Sequence, residues 1–245
     1  MEHLLRLTIE SQPTDSTCGP TCLQAVYAYW KDAISLPQVI SEIGELPNGG
    51  TMAVHLACHA LRRGYSATIY TYNLFLFDPT WFIGPEPDLA TKLRRQSELK
   101  ESSNPRISEA TSSYLEFLEL GGKLRMEPLE EALLIRSLTA EVPVLSGLSA
   151  TFLYQESRER AFPPDANGVS SEPDDVGGEP VGHFVVLSGY NSATGEVMVN
   201  DPQVENPFAN HRQYAAPMAK VSAAILLGIA SYDANLLMIQ PSTKR

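Results

Sequence analysis

Four residues of this chain have the side-chain chemistry of acyl transfer: Gln12, Cys18, His183 and Asp201. Cys18 lies in "QPTDSTCGPTC", residues 12–22, at the predicted start of a helix. Free N–H groups and partial positive charge at a helix N-terminus favour a thiolate, the nucleophilic form of cysteine. A thiolate nucleophile needs a proton carrier, and the carrier needs a group that orients it. His183 opens the apolar run "GHFVVLSGYN", and "EVMVNDP" follows after the turn sequence "SATG". Two such runs predict a hairpin, which sets the end of the second strand beside the start of the first. Asp201 then approaches His183 and is expected to accept its Nδ1–H, fixing tautomer and ring orientation. Gln12, six residues before Cys18, can donate its amide N–H into an oxyanion hole shared with the Cys18 backbone. One such donor is worth about 3 kcal/mol in a transition state. Taken singly, these are a strand histidine, a turn residue before proline and a loop glutamine. Only the combination points to catalysis.

The same cysteines admit other chemistry. Cys18 and Cys22 with His55, Cys58 and His59 could be assembled into zinc ligands. However, no glutamate follows His55, so the metalloprotease base is missing, and structural sites favour tighter Cys-x2-Cys spacing. Cys-Gly-Pro-x-Cys is one residue too long for a Cys-x-x-Cys redox motif, and no thioredoxin-like context precedes it. Cys22 lies one helical turn below Cys18 among apolar neighbours, which suits a small packing residue. Neither a cofactor nor a metal is expected.

The elements that must position these residues follow from periodicity. "LLRLTI" reads as a first strand and Cys18 to Lys31 as a helix with Ser16 or Thr17 as cap and Gly19-Pro20 in its first turn. A short helix begins near Leu36 behind Ser35. Thr51 to Arg63 is a helix stopped by Gly64, and "SATIYTY" alternates as a strand. Residues 87–140 are helical in pattern; after them come the apolar runs "VPVLSGLSA", "HFVVLSGYN" and "EVMVND", a helix in "APMAKVSAAILLG" and a closing strand "NLLMIQ". Helices first and antiparallel strands later predict an α+β fold with a helical N-terminal lobe and a β C-terminal lobe. The domain reading is one unit over 1–245, with a helical insertion about 85–140 and a mobile acidic loop about 161–182. That loop holds five acids, four prolines, four glycines and no Lys or Arg, and runs straight into His183 as a possible lid or substrate rim.

Gln-x5-Cys-Gly-Pro-x-Cys, then Gly-His-Phe-Val-Val-Leu-x-Gly-Tyr and Val-x-Val-Asn-Asp-Pro, resembles the bacteriocin-processing, double-glycine type of cysteine peptidase in the papain-like superfamily. The resemblance covers residues 12–30 and 182–202. It implies a papain-like two-lobe fold, with Cys18 as nucleophile, His183 as base, Asp201 as orienting residue and Gln12 in the oxyanion hole. This chain has no phosphate-binding loop and no membrane segment of the kind transporter-linked relatives carry, so it reads as a soluble member without transporter domains. The implied reaction is cleavage of a peptide or amide bond in a peptide or protein substrate. An acyltransferase or ligase would use the same thioester, and a non-catalytic peptide-binding module would keep the cleft alone.

Composition agrees with that class. A formal charge of −11 disfavours nucleic acid or an anionic membrane as partner. Three cysteines make no disulfide framework, and "MEHLLRLTIESQ" has none of the marks of a signal peptide. These observations predict a cytoplasmic protein.

Overall fold

The apolar runs pair into an eight-stranded, mostly antiparallel sheet in the computed structural model. It describes the chain except residues 1, 45, 47–49, 85–87, 101–104, 164–170, 204–205, 209–210, 232 and 243–245. In chain order the elements begin with β1 (Glu2–Leu4), α1 (Cys18–Tyr29), α2 (Leu36–Ile43), α3 (Ala53–Arg62) and β2 (Tyr65–Thr71). Next come α4 (Leu89–Lys100), α5 (Pro105–Glu119), β3 (Lys123–Arg125), α6 (Glu131–Thr139) and β4 (Val144–Ser149). The chain continues through β5 (Glu159–Ala161), β6 (Ser171–Pro173), β7 (Gly182–Asn191), β8 (Glu196–Asn200), β9 (Gln213–Pro217), α7 (Met218–Leu227) and β10 (Asn235–Pro241). The sheet order is β3-β2-β10-β4-β7-β8-β9, with β1 added against β7. Among the described residues, no helix is long and apolar enough to cross a membrane.

Alternation along the strands builds two cores. Ile69, Leu145, Phe184, Val186, Leu237 and Ile239 face α1, α3, α4 and α5. Tyr70, Val144, Leu148, Val185, Leu187, Val197 and Val199 face α6 and α7. Helices therefore precede most of the strands in sequence, yet α6 and α7 cover the far face of the sheet. A central strand buried on both faces reads as a continuous apolar run, and "HFVVLS" in β7 is such a run.

The helix ends follow local chemistry. Ser35 accepts a bond from Gln38 N and caps α2. Gly64, at φ 88°, ends α3, and Gly121, at φ 87°, ends α5. A side chain there would force the left-handed region on a residue with a Cβ. The β7–β8 turn closes with Gly195 N donating to Asn191 O at 2.8 Å.

Some elements differ from the sequence reading. The predicted first strand, 4–9, forms ladder only over Glu2–Leu4. Leu5, Leu7 and Ile9 do alternate inward, but the backbone there is held differently. Leu5 N donates to Ser188 O, and the Arg212 guanidinium donates to Ile9 O. β3, β9 and the β5–β6 hairpin were not expected; each is only three to five residues long. The hairpin lies inside the acidic segment 161–182 and just before it. Glu159, Arg160 and Ala161 pair with Pro173, Glu172 and Ser171, and Arg160 forms an ion pair with Glu172. Residues 164–170 of that segment lie outside the described residues.

Candidate active site

Cys18 is the first residue of α1. Thr17 is the N-cap residue of α1, but its side chain makes no cap hydrogen bond. Thr17 instead donates to Thr14 O at 2.9 Å and accepts from Thr14 N at 3.0 Å, closing the preceding turn on itself. The Thr17 side chain therefore does not compete for the N–H groups at this end of α1, where the positive end of the helix dipole lies. Gly19 lets the helix enter. A Cβ at that position would lie 2.5 Å from Thr51 Cγ2 and 3.2 Å from Phe184 Cδ2. The glycine in "CGPTC" is thus a close-approach residue that seats Cys18 against the strand carrying His183.

His183 is the second residue of β7 and is 5% exposed; Cys18 is 8% exposed. The His183 Nε2 lies 2.9 Å from Asp201 Oδ1. The expected partner atom was Nδ1, so the ring is turned relative to that reading. The ladder explains the turn. Asn200 pairs with Val186, so Asp201 leaves β8 diagonal to His183, and the outer ring nitrogen makes the longer reach. Cys18 lies near enough to the same imidazole to act on its titration. Burial pulls the His183 pKa down and is the largest single influence. The charge of Asp201, its hydrogen bond and the influence of Cys18 together outweigh it and push the value up to about 10.

Asp201 has no solvent exposure. Its Oδ1 accepts from His183 and from Gln203 N at 2.9 Å. Its Oδ2 accepts from the hydroxyls of Tyr154, at 2.6 Å, and Tyr214, at 2.8 Å. Burial raises its pKa, but His183 and these donors prevail and hold it below the usual carboxylate value. Sequence reasoning missed both tyrosines. Tyr154 lies in the π-helical turn Thr151–Gln155, and Tyr214 lies in β9. Neither carries a motif, and only the three-dimensional return of β9 beside β8 identifies Tyr214.

Gln12 arrives by backbone tethering. Its N–H donates to Pro202 O at 3.0 Å, one residue beyond Asp201. Arg212 holds the same loop through Ile9 O and Ser11 Oγ, both at 2.9 Å. The Gln12 Oε1 is buried and has no hydrogen-bond partner among the described residues.

Comparison with known proteins decides the family. The model of the "Peptidase_C39 like family" matches residues 4–224. The chain belongs to the Peptidase_C39-like family. It is a cysteine peptidase by family, and its fold is mixed α+β. The structure described as that of a C39-like peptidase from Bacillus anthracis superposes with a TM-score of 0.54 at 15% identity, each chain covered over 100%. A double glycine motif protease from an AMS/PCAT transporter, solved in complex with the leader peptide, gives a TM-score of 0.43 at 14% identity, over 98% of this chain and 94% of that one. Xylellain, a cysteine protease from Xylella fastidiosa, gives 0.41 at 12% identity, over 98% and 86%. No curated protein matches the chain.

In this C39-like peptidase the remaining sequence candidates take other partners. Cys22 is fully buried and donates its S–H to Phe184 O at 3.2 Å. Burial, then the charges of Cys18 and Asp201, push its thiol pKa well up. His59 bridges three helices, with Nδ1 at 2.7 Å from the Tyr27 hydroxyl and Nε2 at 2.8 Å from Glu42 Oε2. His55 Nε2 lies 2.9 Å from Ser113 Oγ, and Cys58 donates to Ser113 O at 3.8 Å. The zinc set is not assembled. Among the described residues, no three His, Cys, Asp or Glu side chains are grouped to hold a metal ion. Cys18, Cys22 and Cys58 are free cysteines.

Proposed function

We propose that this C39-like peptidase cleaves a peptide or amide bond through Cys18, His183 and Asp201, with Gln12 in the oxyanion hole. The observation that carries the reading is the buried His183 Nε2–Asp201 Oδ1 pair at 2.9 Å, with Cys18 at the start of α1 near enough to act on the same imidazole. Cys18 Sγ, as thiolate, attacks the substrate carbonyl carbon. The negative charge on the carbonyl oxygen is met by the Cys18 N–H and the Gln12 side-chain amide. A half-turn of that amide exchanges Oε1 for the isosteric Nε2, which presents an N–H donor at the same buried, unpartnered spot. The His183 imidazolium gives its proton to the leaving amine as the C–N bond breaks, and a thioester remains on Cys18. Neutral His183 then takes a proton from water, whose oxygen attacks the thioester. The acid product leaves, and the thiolate–imidazolium pair is restored.

We read the chain as one domain over 1–245, with α4, α5 and α6 as its helical insertion about 85–140 and the segment 161–182 as a substrate rim ahead of His183. The substrate is a peptide or protein segment, and the three free cysteines suit a reducing, cytoplasmic setting. The test is cleavage of a mixed peptide library, read by mass spectrometry. Wild type should produce new termini and Cys18→Ala none; equal cleavage by both would remove Cys18 from the mechanism. Adding amine nucleophiles separates the two fates of the thioester. Acid products support hydrolysis, and dominant amide products would replace it with acyl transfer.

A further inference from the structure

Asp201 is a carboxylate with no access to water, and a buried charge is tolerated only when it is paired and hydrogen-bonded. His183 and Gln203 N use Oδ1, so Oδ2 would be left bare without further donors. Two phenols meet that need. Tyr154, in the turn that follows β4, and Tyr214, in β9, converge on the one oxygen, at 2.6 and 2.8 Å. Each phenol is itself buried, and its pKa is raised, first by burial and then by the charge of Asp201. Both therefore stay protonated and act as donors.

The elements that bring the phenols are also built for the purpose. Tyr154 rides on a π-helical turn, a rare backbone form that often sits at functional sites. That turn also grips the approach to His183. Thr151 Oγ1 accepts from Val181 N at 2.9 Å, Ala150 N donates to Val181 O at 2.9 Å, and Ser149 Oγ accepts from Phe152 N at 3.3 Å. Tyr214 sits opposite Val199 in the β8–β9 ladder, and Asp201 N donates to Arg212 O at 2.8 Å. The Tyr214 ring stacks on Phe208 at 4.8 Å, and Lys220 Nζ lies 4.6 Å above Phe208 on its way down from α7.

We propose that Tyr154 and Tyr214 are paired positioning residues that clamp Oδ2 of Asp201 and so present Oδ1 to His183 in one fixed orientation. The hydroxyls of both bond Asp201 and act through it, while the Tyr154 ring also packs near that of His183, a contact that phenylalanine would keep. The inference rests on the catalytic reading given above. Replacing either by phenylalanine removes one O–H and keeps the ring, so packing is retained while the donor is lost.

The test is a double-mutant cycle on the whole protein, with iodoacetamide as probe and the Cys18 adduct followed by mass spectrometry. Tyr154→Phe and Tyr214→Phe should each slow Cys18 alkylation at pH 7 by roughly threefold to tenfold, the scale of the net contribution of one ordinary hydrogen bond. In an Asp201→Asn background either substitution should change the rate less than about twofold, because coupled residues are non-additive. A second readout is the Asp201 carboxyl titration by NMR on aspartate-labelled protein. Its midpoint should rise in either single variant, so the test stands even where the double variant does not fold. Unchanged alkylation with an unchanged carboxyl titration would overturn the proposal. So would an equal loss of rate with and without the Asp201 charge, which marks a merely structural role. If wild-type Cys18 reacts no faster than Cys58, the catalytic reading itself fails. If Cys18 is selective and Asp201→Asn slows it but neither tyrosine matters, only the clamp fails.

Discussion

At the scale of single residues, His183 and Asp201 hold each other in the charged state, and this has a pH signature. The His183 pKa is raised in the fold, so its contribution to stability is complete below its unfolded value of about 6.5 and is lost as pH rises through about 10. Asp201 is depressed, so its contribution is present above about 3.9 and is lost as pH falls through its lowered folded value. Asp201→Asn should therefore cost stability most between about pH 4 and 6.5, by about 3 kcal/mol as expected for breaking a buried pair, and progressively less as pH rises toward about 10. Denaturant melts across that range check it; a pH-independent cost contradicts the pairing. Cys22→Ala should cost about 1–2 kcal/mol through a lost S–H donor and a small cavity, read from the same melts. The approach of Asp201 to His183 was legible because the hairpin geometry pointed at it. The ring nitrogen was not, since it depends on the exact register at the end of β8. Tyr154 and Tyr214 were not, since a phenol donor leaves no mark in sequence until its partner is known.

At the scale of elements, the close approach of α1 to α3 and β7 sets where Cys18 sits. Gly19→Ala would drive a methyl into Thr51 and Phe184, and overpacking of this kind costs about 1–3 kcal/mol. The same substitution should lower activity, because it pushes the first turn of α1 away from β7. Thr51→Ser removes the Cγ2 that lies 2.5 Å from the new Cβ, so the double variant should recover most of both losses. Failure to recover, by thermal melt and by Cys18 alkylation, would place the constraint elsewhere. Long amphipathic helices and apolar strands were readable from periodicity. β3, β5, β6 and β9 were not, because three to five residues give too little period. Residues 5–9 alternate as a strand does, and their failure to extend the β1 ladder reflects the side-chain and backbone donors that hold them, which periodicity cannot register.

At the scale of the molecule, Asp233 joins the helical layer to the sheet. It accepts from Ala53 N at the start of α3, at 3.1 and 3.2 Å, and from Asn235 Nδ2 at 2.6 Å. Burial raises its pKa, partly offset by those two donors, to about 7. A carboxyl raised in the fold binds its proton more tightly when folded, so stability falls as pH rises from about 3.9 to about 7 and is level beyond. Asp233→Asn removes this slope, and Asn235, whose Oδ1 is unpartnered, can turn to accept from the new amide. The variant should match wild type near pH 4 and be more stable above pH 7, by up to about 4 kcal/mol. Equal pH slopes for the two proteins would contradict the buried-carboxyl account. The α+β class and the order of its halves were visible in sequence, whereas the placement of α6 and α7 on the far face was not. Which face a helix covers depends on the path of the sheet.

The central claim is that Cys18 is singled out by His183. The direct measurement is site-resolved iodoacetamide alkylation of wild type and His183→Ala at pH 7. Burial raises the thiol pKa of Cys22, and that of Cys58 to about 12, so neither should react readily. Cys18 is predicted to react about tenfold or more faster than both, and to lose that advantage in His183→Ala. Equal labelling of the three cysteines, or a Cys18 rate that His183→Ala leaves unchanged, would contradict the account.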